Sequence, residues 1–384
     1  MYNILTLNKI SQNGLKHLPN CCYAISDACD APDGIILRSF AMHEMELPAS
    51  LLGVARAGAG VNNIPIDKCS DAGICVFNTP GANANGVKEL VLAGLFLAAR
   101  DVVGGVNWVQ GLAGTTEVAK AVEKGKANFG GTEIMGKTIG ILGLGAIGIL
   151  TANACKALGM EVIGYDPSLS EDTKRKLCEG INYNATPDEI YAASDYISLH
   201  VPANAETKGM INAAVFAKCK DGVKIINFAR AELVNNADIK AALESGKVSR
   251  YVTDFPNEEV LATKGIVTIP HLGASTDESE ENCAEMAAKQ LKDFLETGRV
   301  KNSVNFPACD CEPKGKKRIT VFSKGLCPDA LKAVITGAGL NILCACRGSK
   351  KGYDYDVFDV DCDCCDKVGA AAAKIEGAIR VRVI

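Results

Sequence analysis

The chain has 384 residues, 48% of them apolar, and a formal net charge of −4. That length suits two or three domains with sizeable cores, and the acidic balance excludes a nucleic-acid binder with a basic reading face. Seventeen cysteines, behind a start that carries no basic and apolar leader, are expected as reduced thiols in a cytoplasmic protein rather than as a disulfide scaffold.

From the N-terminus, Ile4–Leu7, Gly34–Leu37 and Gly53–Arg56 read as strands, and Val87 to Ala99 as a buried helix. From Lys137 the alternation is clearer. Thr138–Leu142 is a strand, Ala146 to Leu158 a helix closed by Gly159, and Glu161–Tyr165 the next strand. Thr186-Pro187-Asp188-Glu189 opens a helix with a capping box and a proline in its first position. Tyr196–His200, Val223–Phe228, Tyr251–Asp254 and Ile266–Ile269 are further apolar strands. Strands alternating with helices require crossovers and a parallel sheet, so the fold class is α/β. The uncharged run from Thr138 to Cys155 is interrupted by glycines, so no membrane span is expected. A long helix from Thr276 to Thr297 starts with Asp277, Glu278, Glu280 and Glu281, which suit the positive end of its dipole. Ser303 to Lys317 reads as a polar linker, and Arg318 to Ile384 as a separate small domain.

Gly143-Leu144-Gly145-Ala146-Ile147-Gly148 follows a strand and opens a helix, the context a dinucleotide loop needs. The first glycine permits the tight turn, the second the approach of the pyrophosphate, the third close contact of helix and sheet. The helix N-terminus adds unpaired N–H groups for the phosphates. Asp166 ends the next strand, near the offset of about 20 residues expected for the carboxylate that takes the ribose hydroxyls. Its charge repels a 2′-phosphate, which favours NAD over NADP. Of four histidines, only His200 and His271 follow strands of this region. Arg230 and Glu259 also follow strands. Oxidation of an alcohol by hydride transfer needs a base and a cation, and His271, Arg230 and Glu259 can supply base, cation and orienting carboxylate.

With Ala57-Gly58-Ala59-Gly60-Val61-Asn62-Asn63-Ile64, Asn78-Thr79-Pro80-Gly81-Ala82-Asn83, Asn227-Phe228-Ala229-Arg230 and Pro270-His271-Leu272-Gly273-Ala274-Ser275-Thr276, the chain resembles the D-2-hydroxyacid dehydrogenase family over residues 1 to about 306. The resemblance implies a discontinuous flavodoxin-like substrate domain (1–98 and 272–306), a Rossmann-type NAD domain (99–271) and an active cleft between the two. It implies catalysis by Arg230, Glu259 and His271. It implies cofactor contacts at the 143–148 loop, Asp166, His200, Pro202, Ala229, Arg230, Asp254, His271 and Gly273. Substrate contacts are implied at Arg38, Ser39, Arg56, Ala59, Gly60, Arg230 and His271, with Arg38 and Arg56 suited to a phosphorylated 2-hydroxy acid, foremost D-3-phosphoglycerate. A homodimer or homotetramer is expected, with no nucleic-acid or membrane partner. Ala231 stands where the family has glycine, and Asn62 near where it has an acid. Oxidation of another 2-hydroxy acid, such as glycerate or lactate, and a corepressor-like NAD-sensing scaffold are the alternatives.

After a linker at 307–317, residues 318–384 resemble an ACT domain, a βαββαβ module. Arg318-Ile319-Thr320-Val321 gives its first strand, Pro328 a helix start, Gly339-Leu340-Asn341-Ile342 the approach to the second strand, and Tyr355 to Asp361 the third strand. The ligand loop, Lys324-Gly325-Leu326-Cys327-Pro328-Asp329, lacks the histidine and asparagine of the serine-binding version, so the module is expected to assemble subunits without binding serine in the usual way. Cys309/Cys311, Cys344/Cys346 and Cys362/Cys364/Cys365 are spaced more tightly than zinc-site pairs, and no metal is expected.

Overall fold

The computed structural model describes residues 1–384 except Cys364. The chain forms two compact units, 1–83 with 277–384, and 84–276.

The first unit begins with five parallel strands, β1 (Tyr2–Leu7), β2 (Tyr23–Ser26), β3 (Gly34–Leu37), β4 (Gly53–Arg56) and β5 (Cys75–Phe77), in the order β2-β1-β3-β4-β5. β3 is buried along its whole length, as an unbroken apolar run in a sheet covered on both faces must be. Helix Asp277–Thr297 lies on one face through Leu291 and Phe294. A Cβ on Gly34 would come within 2.9 Å of Leu291, so that glycine sets how closely the helix approaches.

The second unit carries β6 (Thr138–Leu142), β7 (Glu161–Tyr165), β8 (Tyr196–Leu199), β9 (Val223–Asn227), β10 (Val248–Thr253) and β11 (Ile266–Thr268). All are parallel, in the order β11-β10-β9-β8-β6-β7. A single bridge from Ile163 to Asn182 extends the sheet beyond β7. The strand order reverses between β6 and β8, which makes the carboxyl ends of those strands the ligand crevice. The predicted capping box at Thr186 and Glu189 is present. Helix Ala84–Ala99 packs in this unit, with Val91 and Leu95 fully buried and Phe228 against Gly94.

The last four strands, β12 (Lys317–Ser323), β13 (Ile342–Lys350), β14 (Tyr353–Val360) and β15 (Ala378–Val383), form an antiparallel sheet in the order β13-β14-β12-β15. With helices Pro328–Gly337 and Asp366–Ala372 they make the expected βαββαβ module. Ile319, Val321, Phe358 and Val360 face its helices. The opposite face belongs to the core of the first sheet, where Phe322 stacks on Phe306 (4.0 Å) and Tyr355 (4.3 Å) and meets Phe294 at 6.0 Å.

The C-terminal module packs on the first sheet of its unit, and the stretch leading into it is anchored. Phe306 is fully buried, and Asn305 donates to the Ile74 carbonyl at 2.9 Å and accepts from Val76 N at 2.9 Å. Tyr353 donates to Asp71 at 2.6 Å, and Arg382 to the Leu295 carbonyl at 2.6 Å. Arg318 forms a buried two-bond pair with Asp359 (2.7 and 2.9 Å) and also caps the Thr297 carbonyl at 2.9 Å. One stacked phenylalanine and a set of main-chain caps anchor a stretch whose prolines and charges signalled a linker.

Candidate active site

The glycine loop links β6 to helix Ala146–Ala157. Gly143 has φ +95°, and a Cβ there would press on the His200 carbonyl at 2.7 Å. Gly148 is tighter still, since its Cβ would stand 2.0 Å from the Gly143 carbonyl oxygen. Gly145 differs: a Cβ there meets nothing within 4 Å. Open space over a helix N-terminus is what a pyrophosphate needs, so the loop fits the dinucleotide. Ala146 and Ile147 form the first turn, and the Gly145 backbone caps it. Asp166 stands at the end of β7, accepting from Leu144 N (2.9 Å) and Ser168 N (2.8 Å), and so braces the loop.

A second observation supports the same fit. Asp254, just past β10, is 1% exposed, and neither carboxylate oxygen has a hydrogen-bond partner among the described residues. Burial pushes its carboxyl up, against the opposing pull of His271 and Arg230. The Gly273 N–H leans toward this carboxylate without closing a full hydrogen bond. A buried carboxylate so weakly served is costly, and a ligand amide beside Gly273 would add a donor. Gly273 is close, its Cβ position 3.8 Å from Asp254. His200 ends β8 with its ring bonded to Ser198 Oγ at 2.9 Å, and burial pushes it down to about 4, so it is neutral. Pro202 is exposed on the next turn, its carbonyl capped by Thr207.

Arg230 is held by the asparagine that opens its own motif, a role the motif alone does not show. Fully buried Asn227 accepts from Ala229 N (3.2 Å) and Arg230 N (3.4 Å) and donates to the Arg230 carbonyl (2.8 Å). The guanidinium turns back to the Ala229 carbonyl at 2.7 Å. His271 is exposed, its ring edge-on to Phe255 at 4.9 Å. Glu259 is not joined to it by a hydrogen bond or ion pair among the described residues. Instead, Glu259 accepts from Asn236 Nδ2 at 2.8 Å, and its N–H is capped by Asn257 at 3.0 Å.

In the first unit, Arg38 follows β3 and Arg56 ends the adjacent strand β4. Arg56 Nε donates to the Arg38 carbonyl at 3.1 Å, and its guanidinium lies over Gly58, where a Cβ would be 2.1 Å from Nη1. Ser39 N donates to Asn8 at 3.0 Å, and the Ala59 carbonyl accepts from Asn78 at 2.7 Å; Gly60, next along the loop, is half-buried.

Residues 99–274 match the family described as D-isomer specific 2-hydroxyacid dehydrogenase, NAD binding domain. This segment belongs to that family. Over 291 residues the chain is 33% identical to D-3-phosphoglycerate dehydrogenase of Archaeoglobus fulgidus, covering 72% of this chain and 52% of that protein. It is 32% identical over 326 residues to the enzyme of that name from Bacillus subtilis, with coverages of 80% and 60%. The chain thus spans little more than half the length of these relatives. Among solved structures, NAD⁺-bound 3-phosphoglycerate dehydrogenase of Entamoeba histolytica (26% identical, TM-score 0.61) and a glyoxylate reductase from Paecilomyes thermophila (26%, 0.64) each align over 79% of this chain and 98% of their own.

The glycine loop, Asp166, Arg230, Glu259 and His271 all lie within the matched segment. No helix among the described residues is long and apolar enough to cross a membrane, and no group of three or more His, Cys, Asp or Glu among them is placed to hold a metal ion. Cys364, of the cysteine run 362–365, lies outside the described residues.

Proposed function

We propose that the chain oxidises D-3-phosphoglycerate to 3-phosphohydroxypyruvate with NAD. The observation that carries this reading is the pair of arginines at neighbouring strand ends in the first unit, which suits a phosphate as well as a carboxylate. The names of the curated relatives support it. When bound, the nicotinamide is the hydride acceptor. His271 takes the proton of the C2 hydroxyl, and Arg230 pairs with the substrate carboxylate. Glu259 supports the charged imidazole after its side chain leaves Asn236. Arg38 and Arg56 hold the phosphate.

A homodimer or homotetramer belongs to this proposal. It is supported by helix Val102–Gln110, which exposes Val102, Val103, Val106 and Val109. Cytoplasmic residence fits the free thiols of the described cysteines. The test is Arg38→Ala and Arg56→Ala. A hydrogen bond to a charged group is worth about 1.5–3 kcal/mol, so each should weaken phosphohydroxypyruvate by roughly 10- to 150-fold and glyoxylate much less. Equal losses on both would refute the phosphate pocket.

A further inference from the structure

Arg38 already has an anionic partner. Its guanidinium forms an ion pair with Glu280, in the first turn of helix Asp277–Thr297 and in the same compact unit. The two side chains are 31% and 42% exposed, so the pair is half-shielded rather than dangling in solvent. The surroundings hold Arg38 in place. Its carbonyl takes Arg56 Nε at 3.1 Å and Asn63 Nδ2 at 3.3 Å. Cys283, buried one turn further along the helix, lies within reach of the charges of Arg38, Arg56 and Glu280 together. The helix is fixed through Cys283, Ala284 and Ala287, so only the Glu280 side chain is free to swing.

A phosphate arriving at Arg38 meets this carboxylate, and two anions sharing one guanidinium repel each other strongly in a partly shielded site. We propose that Glu280 is a specificity-determining residue: an internal anion that holds Arg38 until a phosphorylated substrate displaces it. An unphosphorylated 2-oxo acid leaves the pair in place. The proposal rests on Arg38 being a phosphate ligand. It explains why an acidic residue sits beside the cluster that a phosphate needs, where a neutral one would bind phosphate more tightly. A merely structural surface pair would leave no mark on anion affinity.

The experiment uses the full chain and two probes. Inorganic phosphate is titrated calorimetrically, and the KM for phosphohydroxypyruvate is measured with NADH. Glu280→Gln keeps the acceptor and removes the charge. It should tighten phosphate by roughly five- to thirtyfold, between an exposed pair and a shielded one, and lower KM by a similar factor. Glu280→Asp, should the glutamine variant fold poorly, should give a smaller gain in the same direction. Adding Arg38→Ala to Glu280→Gln should erase the gain, since the two residues act as one unit. Glu281→Gln removes the same charge from a carboxylate that binds Asn13 instead, and should leave phosphate affinity unchanged. A gain that survives without Arg38, a gain equal to that of Glu281→Gln, or none beyond twofold would overturn the proposal. If the wild type turns over glyoxylate and not phosphohydroxypyruvate, the substrate reading fails. The phosphate titration then still decides the role of Glu280.

Discussion

Two glycines of the 143–148 loop should respond in opposite ways to the same added methyl group. At Gly145 the backbone is extended (φ −74°, ψ −163°), a conformation alanine also adopts, and the methyl would enter open space. Gly145→Ala should therefore keep the fold, gaining up to about 1 kcal/mol from the smaller entropy of the unfolded chain. It should weaken NADH, because the methyl stands where the pyrophosphate approaches the helix N-terminus. Loss of one charge-assisted hydrogen bond, about 1.5–3 kcal/mol, corresponds to roughly 10- to 150-fold in Kd. At Gly148 the methyl would stand 2.0 Å from the Gly143 carbonyl oxygen and 3.5 Å from Ile141 Cγ2. That oxygen is backbone and cannot rotate away, so Gly148→Ala should destabilise the domain by about 1–3 kcal/mol or more. Thermal melting without cofactor and NADH titration by fluorescence separate the two effects. A Gly145→Ala protein that melts early, or that binds NADH like the wild type, would refute the assignment of Gly145 to the cofactor.

Three further outcomes follow from the site. His271→Asn should lose roughly 10²–10⁴ in turnover, the usual worth of a general acid–base, with a far smaller change in NADH Kd; near-normal turnover removes His271 from the mechanism. NAD should be preferred over NADP by more than about tenfold in kcat/KM, as a carboxylate facing a 2′-phosphate implies, and Asp166→Ser should narrow the gap. That variant should also loosen the loop, because Asp166 accepts from Leu144 N and Ser168 N. Equal wild-type kcat/KM for the two cofactors contradicts the assignment. Millimolar L-serine should leave activity and melting temperature unchanged, since Leu326 is buried in the core of the C-terminal module and its carbonyl accepts from Arg347. Strong inhibition would show a ligand site built from other residues.

The NAD-binding half was legible because its chemistry is local. Gly143 needs a positive φ, Gly148 a bare Cα, and Asp166 follows at a fixed offset within one βαβ unit. The ends of the long strands and the capping box at Thr186 were equally local. β2 was missed because only Tyr23 of its four residues is buried, which leaves no apolar run, and β5 because three residues give too short a pattern to read. The anchoring of the 303–317 stretch was hidden for a different reason. Its prolines and charges are real turn and surface signals, whereas Phe306 and Asn305 are buried by partners far away in the chain. The same distance hid Glu280. In the sequence it looks like an acid at a helix N-terminus, and its pairing with Arg38 exists only once the first unit is folded. Asn227 entered only as the first letter of the 227–230 motif and Asn236 gave no motif, yet one clamps the Arg230 backbone and the other donates to Glu259. Roles inferred for Arg230, Glu259 and His271 came from what the reaction requires, and that reasoning places residues at a site without giving their rotamers.

The central claim is the substrate. The most direct measurement is NADH-linked reduction by the full chain of phosphohydroxypyruvate, glyoxylate and pyruvate, compared side by side as kcat/KM. The account predicts phosphohydroxypyruvate ahead of both by at least about tenfold, the contribution of one guanidinium–phosphate contact. Glyoxylate or pyruvate equal to or ahead of phosphohydroxypyruvate would contradict it.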